Sequence, residues 1–265
     1  MSEWSNRDDR QRDAQAQYEH IMTTPAPPAV GAYIDAGVIG FVFGEMWRRS
    51  GLTPRDRRWL TLACVGAADA PIPMETHTYA ALNSGDVTNE EIDEFLLFFG
   101  TQTGWPRGSA MNQWILTAMQ KIAEERGEAL QLPQFVPWTD PVDDDVRRVR
   151  GEAAYEDVHG TAPPTAATAF RGRAYLDFLY GEVWTRDEYL TRRDRRLVAI
   201  CCSAELGVDA ETTEHLEATL RQGELTYEEL QEVVMHVAVY LGWPVASRLD
   251  DLLVAAATRV GVIPA

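Results

Sequence analysis

The sequence is poor in lysine: Lys121 is the only one, and arginine supplies nearly all the other positive charge. Lysine and arginine together number 24 against 41 aspartates and glutamates, which gives a formal net charge of −17 at pH 7. Binding to a nucleic-acid backbone requires a basic surface, so this balance argues against nucleic acid as a partner. Arginine instead suits planar, bidentate recognition of carboxylates.

Cysteines and long apolar runs are also scarce. Cys64, Cys201 and Cys202 are odd in number and lie in apolar, helix-like stretches, so we predict that they are reduced and buried. No apolar run reaches the roughly 18–20 residues that span a bilayer, and the polar N-terminal segment is unlike a signal peptide. We therefore expect a cytoplasmic protein without membrane contact. No group of acidic residues and histidines has metal-ligand spacing, so we expect no bound metal.

The sequence contains the same pattern twice. Residues 43–47 read FGEMW and residues 180–184 read YGEVW, 137 positions apart. From Leu52 onward the offset is 138, and it pairs Arg57 with Arg195, His77 with His215, and Gly85 with Gly223. Copies of this length match the usual size of a domain rather than a solenoid unit. We infer a tandem fusion of two related domains that pack together as a dimer would.

Local signals predict helices throughout both copies. Helix starts are indicated at Thr53-Pro54 with Asp56, at Thr191 with Asp194, and at two capping boxes, Thr88–Glu91 and Thr226–Glu229. Gly85 and Gly223 are placed to end a helix in the left-handed conformation, while Pro106 and Pro244 each open another. No strand-like alternation persists. The sequence therefore predicts an all-α protein with five or six helices in each half.

A proline-containing stretch separates the copies. Its prolines, Pro133, Pro137 and Pro141, disfavour both helix and central strand. We assign the first domain to residues 1–130, a linker to residues 131–142 and the second domain to residues 143–265. Several helices carry apolar stripes too wide for one contact face, which indicates a further partner: the other repeat or a second copy of the chain.

The order of motifs resembles the carboxymuconolactone decarboxylase family. In the first half it runs through Gly44-Glu45, Arg57-Arg58, His77, Thr88–Glu91 and Gly104-Trp105-Pro106. In the second half it recurs through Gly181-Glu182, Arg195-Arg196, His215, Thr226–Glu229, Tyr240 and Gly242-Trp243-Pro244. The resemblance implies two all-α domains forming an intramolecular pseudo-dimer. It also implies homo-oligomerisation, with three such chains giving the equivalent of a hexameric ring.

The family includes cofactor-free decarboxylases and thiol peroxidases related to alkylhydroperoxidase. The peroxidases carry a Cys-x-x-Cys pair shortly before the histidine, where this chain has residues 70–73 (APIP) and 208–211 (VDAE). Without a thiolate and a resolving partner, disulfide chemistry has no route. The resemblance therefore implies a cofactor-independent lyase or isomerase that acts on a small anionic, possibly lactone, substrate.

The paired positions suggest roles in such a reaction. His77 or His215 would supply a proton to the enolate left after decarboxylation, and Arg57 or Arg195 would hold carboxylates bidentately. Glu45 and Glu182 would orient the histidine or act as the acid. Arg58, Asn83, Trp47 and Trp105 complete the predicted substrate-binding set. We favour the first repeat as the working one, because it keeps Glu45, Arg57, His77 and Asn83 together.

Structural interpretations stand beside these roles. In this alternative, the histidines are structural or surface residues, and the arginines form an ion-pair network with Glu45 or Asp56. The tryptophans are then core aromatics, as is typical of Trp47, Trp105, Trp184 and Trp243. The pattern favours a packing role for His236 and none for His20 and His159. Arg58 and Arg196 stand where many family members have glutamate, and Arg221 replaces Asn83 in the second copy. A non-catalytic protein that binds a ligand or acts in assembly is the alternative function.

Overall fold

The computed structural model describes residues 7–134 and 143–263, and its regular structure there is entirely helical. The first repeat comprises α1 (Arg7–Met22), a π-helix π1 (Tyr33–Met46), α2 (Pro54–Ala67), α3 (Pro71–Asn83), α4 (Asn89–Thr103) and α5 (Trp105–Arg126). The second comprises α6 (Asp144–His159), π2 (Phe170–Val183), α7 (Arg192–Leu206), α8 (Asp209–Gln222), α9 (Tyr227–Tyr240) and α10 (Trp243–Val260). The predicted all-α class is confirmed, and the described residues form six helices in each half, within the predicted five or six.

The predicted linker lies largely outside the described residues, which omit residues 135–142. The helices of the first repeat end at Arg126 and those of the second begin at Asp144. The domain boundaries remain a prediction. No helix in the described ranges is long and apolar enough to cross a membrane.

The predicted capping signals set the helix starts. Thr53 accepts a hydrogen bond from the backbone N–H of Asp56, whose carboxylate accepts one from the N–H of Thr53 at 3.0 Å. The same reciprocal arrangement forms at Thr88, Thr191 and Thr226. A cap of this kind typically contributes about 1 kcal/mol. Because α2 and α7 begin at these caps, Arg57 and Arg195 fall at equivalent places one turn later.

Helices α2 and α7 pack against each other across the two repeats. Arg193 donates to both carboxylate oxygens of Asp56 at 3.1 Å, and Arg55 reaches Asp194 at 3.4 Å. The sequence offset of 138 relates Arg55 to Arg193 and Asp56 to Asp194, so each ion pair is the equivalent of the other. Contacts across the two-fold axis of a dimer are related in the same way. One hydrophobic core continues through both repeats and buries Cys64, Cys201 and Cys202. The chain is therefore an intramolecular pseudo-dimer, and the predicted burial of its thiols is confirmed.

The same two-fold arrangement packs one helix of each repeat against a helix of the opposite repeat. Helix α9 packs on α2, and α4 packs on α7. The wide apolar stripes of α4 and α9 are explained by these contacts, since each helix faces its own repeat on one side and the opposite repeat on the other. Side chains of α9 therefore lie beside the candidate residues on α2.

Close helix packing forms one wall of a cleft in each repeat. A β-carbon on Gly151 of α6 would collide with the carbonyl oxygen of Leu176 in π2, and one on Gly44 of π1 would lie 2.9 Å from the β-carbon of Ala14. Glycine at these positions lets α6 approach π2, and α1 approach π1, almost backbone to backbone. The first cleft lies between α1 and the segment that follows π1, and the second lies between α6 and the segment that follows π2.

Candidate functional site

A buried polar cluster lies between the repeats. Trp47, directly after π1, is one member of this cluster. Helices α2 and α3 supply further side chains from the first repeat, and α9 supplies the others from the second repeat. The members besides Trp47 are Arg57, Arg58, Thr61, His77, Glu232, His236 and Tyr240, and all except Tyr240 are at most 9% exposed. The structure thus brings together four of the predicted site residues: Trp47, Arg57, Arg58 and His77.

Aromatic contacts organise the centre of this cluster. The ring centre of His77 lies 5.2 Å from that of Tyr240 in an edge-on arrangement, and the ring of His236 lies 4.9 Å from Tyr240 on a tilt. Trp47 donates its indole N–H to the Tyr240 hydroxyl at 2.8 Å. One tyrosine of the second repeat is therefore in contact with both histidines and with the tryptophan.

His236 is a hydrogen-bonded member of the site as well as a packing residue. Its Nδ1 lies 3.4 Å from a guanidinium nitrogen of Arg57, and its Nε2 lies 2.8 Å from Oγ1 of Thr61. Because a guanidinium only donates, Nδ1 is the acceptor and the proton of the neutral ring belongs on Nε2. Burial, together with the charge of Arg57, holds the pKa of His236 well below its usual value. The ring is therefore neutral.

The two arginines are buried and incompletely paired. Arg57 donates to the Arg49 carbonyl at 2.7 Å and to Glu232 at 3.2 Å, while Arg58 donates to Asp86 at 3.0 Å and lies over the Trp47 ring at 5.3 Å. Within the described residues, the Nε of Arg57 and one terminal nitrogen of Arg58 have no hydrogen-bond partner. A buried donor without a partner costs about 1–3 kcal/mol. An anion that entered the cluster would meet these groups.

His77 and Tyr240 are neutral at physiological pH. Burial, with a smaller contribution from the charge of Arg58, lowers the pKa of His77 to about 3, and its Nδ1 is buried without a partner among the described residues. Burial also raises the pKa of Tyr240 to about 12. The cluster therefore sets a vacant imidazole nitrogen beside a phenol that keeps its proton.

A cleft of about 480 Å³ reaches this cluster from the surface between α1 and the start of α2. Its lining includes His20, Ser50 and Thr53, together with Trp47 and Arg57, two members of the cluster. This volume falls within the range of roughly 300–1,000 Å³ that is usual for small-molecule sites. Trp47, which lines the cleft, contacts Tyr240, and Tyr240 in turn contacts His77.

The equivalent region of the second repeat has a different composition. Trp184, Arg195 and His215 match Trp47, Arg57 and His77, but Phe98 stands in place of His236 and Gln102 in place of Tyr240. The Phe98 and Trp184 rings meet edge-on with centres 5.0 Å apart, and Arg195 lies 5.8 Å above Phe98. The second site therefore lacks counterparts of Tyr240 and His236 at these two positions.

His215 is held in a separate aromatic cluster. Its Nδ1 accepts from Arg196 at 2.8 Å, and its ring lies 5.3 Å from that of His159. His159, for which the sequence offers no role, is 1% exposed and shares a 2.6 Å hydrogen bond with the hydroxyl of Tyr180. Burial and then the charge of Arg196 lower the pKa of both histidines, that of His159 to about 3.

The predicted glutamates lie away from the histidines. Glu45 forms an ion pair with Arg10 of α1 at a partly exposed position, and Glu182 pairs with Arg147 of α6 at 2.9 Å. Each glutamate joins a π-helix to the helix before it. These contacts indicate a structural role for Glu45 and Glu182 and no part in acid–base chemistry at the histidines.

Asn83 and Trp105 contact residues outside the cluster. Asn83 donates to Thr23 at 3.0 Å and accepts from Arg126 at 2.9 Å. Trp105 is 56% exposed and lies near Phe178, so its interpretation as a core aromatic is wrong. Its counterpart Trp243 is 61% exposed, so the same interpretation is wrong for Trp243, whereas Trp47 and Trp184 are buried as predicted.

Sequence reasoning missed the contribution of α9 to the first repeat. Tyr240 carries part of the family resemblance, and the wide apolar stripe of α9 indicates an extra contact, but neither says which helix α9 meets. Among the described residues, no group of three or more His, Cys, Asp or Glu side chains is arranged to hold a metal ion.

Comparison with known proteins identifies the family. The model of the carboxymuconolactone decarboxylase family matches residues 34–116 and again residues 172–255. Over 87 residues the chain is 33% identical to a 4-carboxymuconolactone decarboxylase from Acinetobacter baylyi, a match that covers 33% of this chain and 63% of that protein. Because the two family matches together cover more than half of the sequence, the chain belongs to the carboxymuconolactone decarboxylase family and carries two copies of its domain in tandem.

Proposed function

We propose that the chain is a cofactor-independent lyase of the decarboxylase type that acts on a small anionic substrate at the cluster around His77. The observation that carries this proposal is the meeting of incompletely paired buried arginines with a neutral imidazole and a neutral phenol. Family membership and the similarity to a 4-carboxymuconolactone decarboxylase support the same reaction class. The substrate we test first is therefore 4-carboxymuconolactone.

Arg57 and Arg58 bind negative charge in this proposal. An arginine paired with the departing carboxylate would stabilise the ground state more than the transition state, because that carboxylate loses its charge as carbon dioxide forms, and would slow the reaction. We therefore assign the arginines to a second anionic group of the substrate, or to the oxygen on which enolate charge develops. Their donors without partners are buried, so solvent screens an interaction with that charge only weakly.

The proposed reaction has two steps. The bond between the carboxylate and its neighbouring carbon breaks, carbon dioxide leaves, and the electron pair remains on the substrate as an enolate. A carbon of the enolate then takes a proton from the Tyr240 hydroxyl, and the phenolate is reprotonated from water, with His77 accepting and passing on that proton. Bound anion opposes the effect of Arg58 on His77, so it raises the pKa of His77 during turnover.

One such site per chain follows from the differences between the repeats. The second repeat has Gln102 and Phe98 where the first site receives Tyr240 and His236. A glutamine amide is not an acid for proton transfer, so we assign turnover to the first site alone. Helix α9 of the second repeat then completes the catalytic site of the first.

We also propose that the chain is a homo-oligomer, with three chains forming the equivalent of a hexameric ring. Trp105, Trp243 and Phe170 are each more than half exposed, which is unusual for large aromatic side chains. Light scattering after size exclusion gives the mass directly. A monomeric mass at micromolar concentration would contradict this assembly.

Carbon dioxide release from 4-carboxymuconolactone and related unsaturated lactone acids tests the proposed function. The purified chain should release one carbon dioxide per substrate, and His77→Gln should lose this activity while keeping its helical circular dichroism. The alternative, a ligand-binding protein without chemistry, requires that these acids bind without release of carbon dioxide by either protein. That result would overturn the lyase assignment.

A further inference from the structure

A second cleft lies against the second repeat, between α6 and the start of α7. Its volume is about 640 Å³, larger than that of the first cleft and within the range of small-molecule sites. Most positions that line it are the repeat equivalents of those in the first cleft, including Trp184 for Trp47 and Arg195 for Arg57. The proposed reaction makes no use of this space.

Arg195 at this cleft differs from the other deeply buried arginines in having no carboxylate partner. Arg58 pairs with Asp86 at 3.0 Å and Arg196 with Glu224 at 2.6 Å. Arg195 is 1% exposed, yet in the described part of the chain it donates only to backbone carbonyl oxygens, and its Nε has no partner. Its guanidinium charge is therefore not neutralised by a direct contact.

The missing partner is explained by a difference between the repeats. Glu232 is shared by Arg49 and Arg57 in the first repeat. Its counterpart Glu94 accepts two hydrogen bonds at 3.0 Å from Arg186 and makes no ion pair with Arg195. The cleft consequently contains a buried cation without a carboxylate in direct contact, while Glu94, Asp194 and Asp187 act on its charge at longer range.

Burying an uncompensated charge is unfavourable, because the protein replaces only part of its hydration. Burial accordingly lowers the pKa of Arg195 to about 10. A carboxylate in the cleft would supply the counter-charge in a setting where the interaction is little screened. Thr191 and Arg192, at the positive N-terminal end of α7, line the same cleft and favour negative charge there too.

The remaining lining restricts the anion. Ala153, Ala154 and Val158 form an apolar wall beside Trp184, which suits a flat hydrophobic body. Asp157 and Asp187 also line the cleft and offset two of its three arginines (Arg150, Arg192 and Arg195), so the lining favours a ligand with a single negative charge.

We propose that this second cleft is a binding site for a small monocarboxylate with a flat apolar body. The carboxylate pairs with Arg195 and the body lies against Trp184 and the apolar face of α6. We assign binding without chemistry to this site, because Gln102 and Phe98 stand at the positions equivalent to Tyr240 and His236. It is distinct from the cluster around His77, so its occupancy does not depend on the proposed reaction.

Calorimetric titration of the full chain with benzoate tests this site. Ser50 and Asp187 are equivalent exposed positions that line the first and second clefts, so tryptophan at each fills one cleft and leaves the core unchanged. We expect Ser50→Trp to bind one benzoate per chain. Adding Asp187→Trp to that variant should weaken binding at least tenfold, and benzamide, which is uncharged, should not bind to either protein.

Arg195→Met in the Ser50→Trp background should also lose benzoate binding, with folding checked by circular dichroism. If that variant does not fold, the two tryptophan variants still decide the question. Absence of benzoate binding by Ser50→Trp, or binding that survives Asp187→Trp, would overturn the proposal. Neither result depends on carbon dioxide release, so the site and the proposed function fail separately.

Discussion

The imidazole of His77 meets the ring of Tyr240 edge-on, with ring centres 5.2 Å apart, although the two residues belong to different repeats. At the equivalent positions of the other half stand His215 and Gln102. Among the described residues, the equivalent position of the second site therefore holds no tyrosine, and the contact between His77 and Tyr240 depends on the interface between the repeats.

Removal of the Tyr240 hydroxyl tests the proposed proton donor. Tyr240→Phe keeps the ring contact with His77 but removes the acid, so we expect kcat to fall by about 10²–10⁴-fold while KM changes little. The unfolding free energy should fall by only about 1 kcal/mol, for the lost hydrogen bond from Trp47. Steady-state kinetics and urea unfolding measure the two effects.

Gln102 provides the matched control, since it occupies the equivalent position on α4. Gln102→Leu should leave kcat within twofold of wild type. Equal losses from Gln102→Leu and Tyr240→Phe would mean that both sites, or neither, carry the reaction.

The equivalent carboxylates Glu232 and Glu94 allow a second comparison. Each is paired with an arginine of the other repeat, so Glu232→Gln and Glu94→Gln should each lower the unfolding free energy by about 3 kcal/mol. Only Glu232→Gln removes the counter-charge from Arg57, so it alone should tighten anion binding in the first cleft. Benzoate titration of both variants in the Asp187→Trp background measures this, and equal affinities would contradict the assignment of Arg57 to anion binding.

Buried histidines should make the protein less stable in mild acid. Burial and neighbouring arginines lower the pKa of His77 and His159 to about 3, below the unfolded value of about 6.5. The unfolded chain therefore binds more protons below pH 6.5, and stability falls as the pH drops from 6.5 towards 3. The slope is up to about 1.4 kcal/mol per pH unit for each such histidine.

His159→Met isolates one of these histidines, because Met22 is its counterpart in the first repeat. Urea unfolding at pH 7 and pH 5 should show a smaller loss of stability in this variant than in wild type. An unchanged difference between the two pH values would show that His159 has the same pKa in the folded and unfolded protein.

The thiols should be unreactive in the folded protein. All three cysteines are buried, and burial raises the pKa of Cys64 and Cys202 well above the usual value. We expect intact-mass measurements to find no iodoacetamide adduct at neutral pH, and three adducts after unfolding. Rapid native labelling, or peroxide consumption blocked by that labelling, would restore the thiol peroxidase interpretation.

Local signals were sufficient to predict the helical class. The side chains of Thr53 and Thr88 each accept a hydrogen bond from the backbone N–H three residues later. These helix starts can therefore be predicted without tertiary information. The placement of Tyr240 beside His77 depends instead on how α9 crosses α2. That crossing is decided by packing between segments about 160 residues apart, which the local pattern does not encode.

Repetition proved an incomplete guide to chemistry. Glu45 and Glu182 recur at matching positions, and so do Arg10 and Arg147, which pair with them. A repeated residue can therefore reflect a repeated structural contact as well as a repeated catalytic role. The residues that most sharply distinguish the first site, His236 and Tyr240, are those that the repeat does not preserve.

The exchanged ion pairs Arg55–Asp194 and Arg193–Asp56 keep the symmetry of a dimer within one polypeptide. In a dimer of identical chains, any substitution appears in both sites at once. Joining the copies removes that restriction, because position 236 and position 98 are now encoded separately. One pocket is then free to acquire new ligands by mutation while the other maintains its original activity.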